Sequence, residues 1–383
     1  MIVGFDGTIL RTPRTGIGYY TQFLIQHLMS ETDVTIRTYD GLRMKPPNLQ
    51  PTAELTAPLR PSPLARLSRI DPARSAWRRL KASGFRRAIR EVDLFHATNF
   101  LPPAATSLPT LPLIHDVSHL RHPEWHPAER VKWLEARGEE FRRAPLINTV
   151  SQFSAREIIA TLGIPAEAIR VTYPGVNPFY LLPTHDDQEL LNTAELRPGE
   201  FFLCVGTLEP RKNLATAIQA YDGLPPSIAS RFPLLIVGPA GWGDLKLPGS
   251  TERLERQGRL RFMGYVEERL MRVLYRHCTA FLYPSSYEGF GMPVSEAMAS
   301  GSRPVVVRGG ATEEVAGELG LAIDAFNPEA WRLAMARAIE EGWHRDVGRR
   351  QQLKEAGSRF SWSGNARQTC QIYDELLLKT AIR

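Results

Sequence analysis

The sequence predicts a two-domain α/β protein, each domain a doubly wound, mostly parallel sheet. Three observations carry this. The chain has 383 residues, too many for one ordinary hydrophobic core. Strand-like and helix-like segments alternate along it, and the strands are continuous apolar runs without period-two alternation, as in parallel strands covered on both faces. A polar stretch at 181–198, containing PTHDDQE, interrupts the alternation, which then restarts.

The elements follow in order. MIVGFD (1–6) reads as a first strand and not as a signal peptide, since it is short and carries Asp6. Gly16 and Gly18 lead into an apolar helix near 17–29, and VTIRTYD (34–40) is a second strand. A Pro-rich loop spans 46–63. Asp71-Pro72 opens a helix, with Asp as N-cap and Pro in the first turn, expected to run to about Glu91. DLFHAT (93–98), LPLIHD (111–116), LINTVS (146–151) and IRVTYPGV (169–176) are further strands. Past the polar stretch come FFLCVGT (201–207), FPLLIVGPAG, LRFMGYV (260–266), AFLYPS (280–285) and RPVVVRGG, with helices between them. The expected division is 1–182, a linker at 183–198 and 199–363, with the last helix, about 364–383, returning to the first domain. In such sheets ligands bind beyond the carboxyl ends of the strands, so the residues that follow each strand are the informative ones.

Composition sets limits. Hydrophobic content of 43% and charged content of 23% are ordinary globular usage. There is no run of about 18 apolar residues to span a membrane. Cys204, Cys278 and Cys370 are far apart and match neither a disulfide framework nor a zinc spacing, so a reducing cytoplasm is the expected setting. The net charge of +6 is local in origin: Arg60 to Arg90 holds ten Arg/Lys and one acid, Asp71.

Two motifs carry chemistry. In VGTLEPRKN (205–213) a strand ends at Gly206, and Arg211 and Lys212 arrive just before a helix. A guanidinium and an ammonium at a helix N-terminus suit a diphosphate. In YEGFGMPVSEAMASG (287–301), Glu288 and Glu296 flank Gly289, Gly291 and Pro293. Pro293 fits the first turn of a helix and Gly301 the position past its end. Glu288 therefore lies in a loop and Glu296 inside the helix. Ionised carboxylates are pure acceptors and suit sugar and ribose hydroxyls.

EPRKN followed by YEGFGMPVSEAMASG resembles the retaining, two-domain GT-B glycosyltransferases of family four, which include bacterial mannosyltransferases. TGIGYY (15–20), HATNFLPP (96–103), LIHDVSHLRHPEW (113–125), NTVSQFSAREI (148–158), VTYPGVNP (171–178) and RFMGYVEE (261–268) extend the resemblance over most of the chain. Met292, Ser295 and Arg303 depart from the commoner residues. The resemblance implies two Rossmann-like domains facing a cleft, the first binding the acceptor and the second the nucleotide sugar. It implies that Arg211 and Lys212 bind the donor diphosphate, that Glu288 contacts the donor sugar and that Glu296 holds the ribose. Phe290, Gly291 and Met292 would line the sugar and phosphates, and Gly264, Tyr265 and Val266 the base. His115 would sit at the reaction centre, with Gly16–Gly18 over the phosphates and Gly206 beside them. Neither glutamate need be a covalent nucleophile of the glycosidase kind. The leaving phosphate would help to deprotonate the acceptor.

The expected activity is transfer of a hexose, mannose from GDP-mannose, to a saccharide or polyprenyl-linked acceptor, with no cofactor and no metal. Rhamnosyl or glucosyl transfer from dTDP- or UDP-sugars, a non-catalytic nucleotide-sugar-binding subunit, and an epimerase on the same fold are the alternatives. His115, His119, His122 and His126 could suggest a metal site, but Pro123 and Pro127 break any single helix there. The HDD at 185–187 reads as solvated loop. In the basic segment Trp77, Leu80, Phe85 and Ile89 mingle with arginines, which suits peripheral contact with an anionic membrane at its inner face ahead of a plain solvated face, and nucleic acid least.

Overall fold

A computed structural model describes residues 1–11, 16–49, 71–126, 128–182 and 185–381, with side chains from 79 onward in the helix that opens at Asp71. Much of the expected Pro-rich loop and of the basic segment, including the side chains of Trp77 and Arg78, lies outside the described residues. The chain divides into two compact units, Met1–Val117 with Glu129–Pro174 and Ser361–Arg383, and Ser118–Ala128 with Gly175–Phe360.

Among the described residues the first unit holds seven strands: β1 (Ile2–Asp6), β2 (Thr35–Tyr39), β3 (Met44–Lys45), β4 (Leu94–Ala97), β5 (Thr110–Ile114), β6 (Ile147–Thr149) and β7 (Ile169–Val171). Their order is β3-β2-β1-β4-β5-β6-β7, parallel except for the β2–β3 hairpin. Two-residue β3 has no apolar run to betray it. It forms because Asp40 closes the turn, its carboxylate accepting from the amides of Leu42 and Arg43 at 2.9 Å. The final helix, Trp362–Ala381, packs on Gly16–Glu31 within this unit. Trp362 lies 5.3 Å from Tyr20 and 5.4 Å from Phe23, and the Tyr373 hydroxyl bonds His96 on β4 at 2.8 Å.

The helix Asp71–Ala88 corrects one expectation. Phe85 and Ile89 are not lipid-facing anchors; both are buried in a cluster with Tyr39, Val92 and Phe95. Apolar rings that fill a core leave only Leu80, 63% exposed, among the arginines of the described part of the segment.

The second unit holds β8 (Phe202–Val205), β9 (Leu234–Val237), β10 (Leu260–Gly264), β11 (Ala280–Tyr283), β12 (Pro304–Val307) and β13 (Leu321–Ile323). They run parallel in the order β10-β9-β8-β11-β12-β13. The order reverses between β8 and β11, so the loops after these two strands flank the switch point where such sheets bind ligands. Three-residue β13 was also unforeseen.

The polar stretch is neither a free linker nor a solvated loop. Asp187–Thr193 is a helix packed on the helix Glu268–His277. Asp186 pairs with Arg269, while Asp187 accepts from His277 at 2.8 Å and Arg276 at 3.3 Å. Polarity marks an ion-paired seam here. The unit boundary falls at Pro174, ahead of the expected 182, because Val176 donates to the Phe360 carbonyl and Tyr180 packs edge-on against Tyr275. Arg303, the unusual residue before Pro304, is held by Glu341 and by the Trp343 ring.

Candidate functional site

The loop after β8 turns through Pro210–Lys212, and left-handed Asn213 leads into the helix Leu214–Asp222. Asn tolerates this conformation well, and its side-chain amide donates to the carbonyls of Pro284 (3.2 Å) and Ala325 (2.7 Å). The turn is thereby tied to the loop after β11.

Between these loops lies a closed ion cluster. Arg211 donates through Nε and Nη2 to Glu209 Oε1 (3.1 and 2.6 Å), and through Nη1 to Glu288 Oε2 (2.5 Å) and the Tyr287 carbonyl (2.9 Å). Lys212 Nζ donates to Glu288 Oε1 at 2.5 Å and to the Tyr283 hydroxyl at 2.8 Å. The hydroxyls of Ser285 (2.6 Å) and Tyr283 (3.0 Å) donate to the same Oε1. The Glu288, Lys212 and Glu209 side chains are only 10%, 12% and 3% exposed. Two cations and two carboxylates cancel in a poorly solvated place. Burial by itself would raise the Glu288 pKa, but Arg211 and then Lys212 overcome it and hold the carboxyl well below the usual range.

Glu296 has a different environment. It lies within the helix Met292–Ala299, with Pro293 in its first turn. Gly291 makes the entry: its φ is 92°, and a Cβ there would come within 2.9 Å of Thr312 Cγ2. The Glu296 carboxylate accepts from the Tyr275 hydroxyl at 3.1 Å. Burial pushes its pKa up to about 7, opposed by that bond and assisted by Glu268. One glutamate is thus a firm anion bound to cations, and the other titrates near neutrality.

Residues 14–178 match the profile described as Glycosyltransferase Family 4, and 189–360 that described as Glycosyl transferases group 1. The chain is 31% identical to O-antigen chain mannosyltransferase B of Escherichia coli over 95% of this chain and 97% of that one. The chain belongs to this glycosyltransferase family. The D-inositol 3-phosphate glycosyltransferase of a Nocardioides strain is 28% identical over 62% of this chain and 55% of its own length. Among solved structures, sucrose-phosphate synthase from Thermosynechococcus elongatus superposes with a TM-score of 0.68 at 18% identity over 99% of both chains. Anabaena Alr3699/HepE in complex with UDP-glucose gives 0.67 at 17%, over 98% of this chain and 99% of that one. These two establish the GT-B fold.

In this glycosyltransferase the sequence-derived residues fall into separate groups. Arg211, Lys212 and Glu288 meet in the cluster, with Gly206 beside the Lys212 stem. Phe290 is buried against Phe360 at 5.2 Å, so only its backbone is available to a ligand. Gly264 ends β10, and Tyr265 beyond it is 73% exposed. Gly16, Gly18 and His115 belong to the other unit. His115, half-buried after β5, bonds the Thr98 carbonyl through Nε2 at 2.8 Å, and the His115 carbonyl accepts from Ser154 Oγ at 2.9 Å. A carbonyl only accepts, so Nε2 carries the proton. Burial keeps the ring neutral, which leaves Nδ1 as an acceptor.

The other three histidines have separate surroundings. His119 is buried, His122 stacks on Trp125, and His126 Nε2 bonds the Ser118 hydroxyl at 2.9 Å. Among the described residues no group of three or more potential ligands converges. Sequence reasoning missed Glu209, Tyr283, Ser285 and Tyr275. The first three lie at or within four residues of the ends of β8 and β11, so the strand-end rule located their neighbourhood without singling them out.

Proposed function

We propose that the chain is a retaining mannosyltransferase, moving mannose from GDP-mannose to a saccharide acceptor during surface-polysaccharide assembly. The Arg211–Lys212–Glu288 cluster is the observation that carries the chemistry, and the end-to-end match to an O-antigen mannosyltransferase supports the substrate class. A departing nucleoside diphosphate gathers negative charge, and two preorganised cations beside a helix start are placed to stabilise it. In this reading the diphosphate takes over the cations from Glu288, whose carboxylate then turns to sugar hydroxyls. With both oxygens of Glu288 engaged by cations and hydroxyls, a nucleophilic role is disfavoured. The backbone of Gly291 and Met292 takes the phosphates and the sugar, and Gly264, Tyr265 and Val266 take the base. The reaction needs no metal, because the cations fill that role.

A thermal-shift panel of GDP-, UDP-, dTDP- and ADP-sugars, followed by transfer assays with and without EDTA, tests this. Preferential stabilisation by GDP-mannose and unchanged EDTA-treated transfer are expected. A UDP- or dTDP-sugar preference would move the reading to glucosyl or rhamnosyl transfer. Binding without turnover would make the chain a non-catalytic subunit, and sugar isomerisation without acceptor an epimerase.

Glu296 is the proposed ribose clamp, and this gives a pH signature. Ribose hydroxyls donate best to an ionised carboxylate, so nucleotide affinity rises with pH, by up to about tenfold per unit, and levels off above about 7. The effect on unliganded stability has the opposite sign. The contribution of the protonated form is complete below the ordinary value of 4.5 and is lost as pH rises through about 7, a change of about 3 kcal/mol. Glu296→Gln flattens both curves. Calorimetric titrations across this range that are flat for the wild type would remove the carboxylate from the ribose.

Residues Arg79, Lys81, Arg87 and Arg90, all exposed, support a peripheral contact with anionic lipid at the inner face of the membrane. Among the described residues no helix is long and apolar enough to cross a bilayer. Arg78, Arg79 and Arg87 changed together to Glu should abolish co-sedimentation with phosphatidylserine vesicles. Equal sedimentation would reject the contact.

A further inference from the structure

We propose that Trp242, Trp125 and His122 form an aromatic platform that receives a pyranose ring of the acceptor saccharide. The choice of a saccharide acceptor rests on the transferase reading above. All three residues belong to the second unit.

The loop after β9 is built to hold Trp242 rigidly. Gly241 donates to the Leu208 carbonyl at 3.1 Å, and Leu208 donates to that of Pro239 at 3.0 Å. A Cβ at 241 would lie 2.5 Å from the Leu208 oxygen, so only glycine permits this approach. Trp242 therefore projects from a loop fastened to the one that carries Glu209, Arg211 and Lys212. Its Nε1 donates to the Trp125 carbonyl at 2.8 Å, yet the residue stays 52% exposed. With the N–H already engaged, what Trp242 still offers is apolar ring surface.

Trp125 joins it through its backbone carbonyl, and its ring carries a second one. His122 stacks on Trp125 with centroids 3.8 Å apart and planes at 14°, and meets Tyr287 edge-on at 5.8 Å. Tyr287 is buried, accepts from Arg211 through its carbonyl and directly precedes Glu288, so it ties the platform to the ion cluster. Exposed aromatic faces suit the apolar C–H face of a pyranose, and a few polar groups at the rim supply orientation. Glu124, 62% exposed and 3.4 Å from His122 Nδ1, is an acceptor for hydroxyls there. A mere tether between the loops would need the indole N–H but no exposed ring.

The test uses the full chain, GDP-mannose as donor and an α-linked mannose trisaccharide as acceptor probe. Trp242→Ala should raise the acceptor KM about tenfold, the change that ~1.4 kcal/mol produces. Trp242→Phe, which keeps a ring, should recover most of it. Donor KM and the nucleotide-induced thermal shift should stay at wild-type values, which also shows that the variant is folded. Unchanged acceptor KM in Trp242→Ala, or donor and acceptor KM rising together, overturns the platform. Absence of wild-type transfer instead defeats the mannosyl reading. The platform is then judged by saturation-transfer NMR on the trisaccharide. Signal lost in Trp242→Ala upholds it; equal signal, or none from the wild type, overturns it.

Discussion

Lys212→Ala lowers kcat by about 10²–10³ while weakening nucleoside diphosphate binding less than about tenfold. The asymmetry follows from where charge appears. In the bound donor the diphosphate charge is shared with the sugar ester, and at the transition state it grows on the leaving oxygen. An interaction that strengthens along this path contributes to kcat more than to affinity. Lys212 is suited to it because its ammonium is not freely solvated. The Tyr283 ring lies 4.9 Å from Nζ, and burial pushes its pKa below the usual lysine value against the pull of Glu288. Lys212→Arg should not restore the rate, since a planar fork cannot reproduce a point charge between Tyr283 and Glu288. Single-turnover kinetics beside calorimetric titration separate the two effects. An unchanged kcat would remove Lys212 from leaving-group stabilisation.

What was legible in the sequence divides along physical lines. Long apolar runs revealed every strand except β3 and β13, which are two and three residues long and depend on a turn or a neighbour for their pairing. The positions of Pro293 and Gly301 fixed the helix Met292–Ala299, because these residues act through local backbone geometry. Arg211, Lys212 and Glu288 were legible as chemistry but not as partners. Only folding brings loops 76 and 77 residues apart into contact, and so reveals that the carboxylate neutralises the cations. The opposite protonation behaviour of Glu288 and Glu296 depends on desolvation and neighbouring charge, which no spacing encodes. Phe85 and Ile89 misled for a similar reason: a basic, aromatic-rich helix has the same pattern whether its rings meet lipid or a core. The acidic run at 185–187 read as solvated because its partners, Arg269, Arg276 and His277, lie more than eighty positions away.

Glu288→Gln destabilises the unliganded chain by about 3 kcal/mol, and the loss shrinks when a nucleoside diphosphate is bound. Removing one charge from a buried cluster leaves its partners uncompensated, which costs about 3–5 kcal/mol for a fully buried pair. Here Glu209 still faces Arg211, but Lys212 loses its anion. A diphosphate supplies new anionic oxygens to the same cations, so the variant should gain more stability from the ligand than the wild type does. The sign with pH is fixed by the depressed carboxyl. Its contribution is complete above the unfolded value of about 4.5 and is lost as pH falls toward the much lower folded value. The gap between wild type and variant in urea unfolding should therefore be constant above about pH 5 and close in stronger acid. Were the gap to persist with ligand bound, Glu288 would be a permanent structural counter-ion. The proposed exchange, in which the donor takes the cations and frees the carboxylate for sugar hydroxyls, would then have no basis.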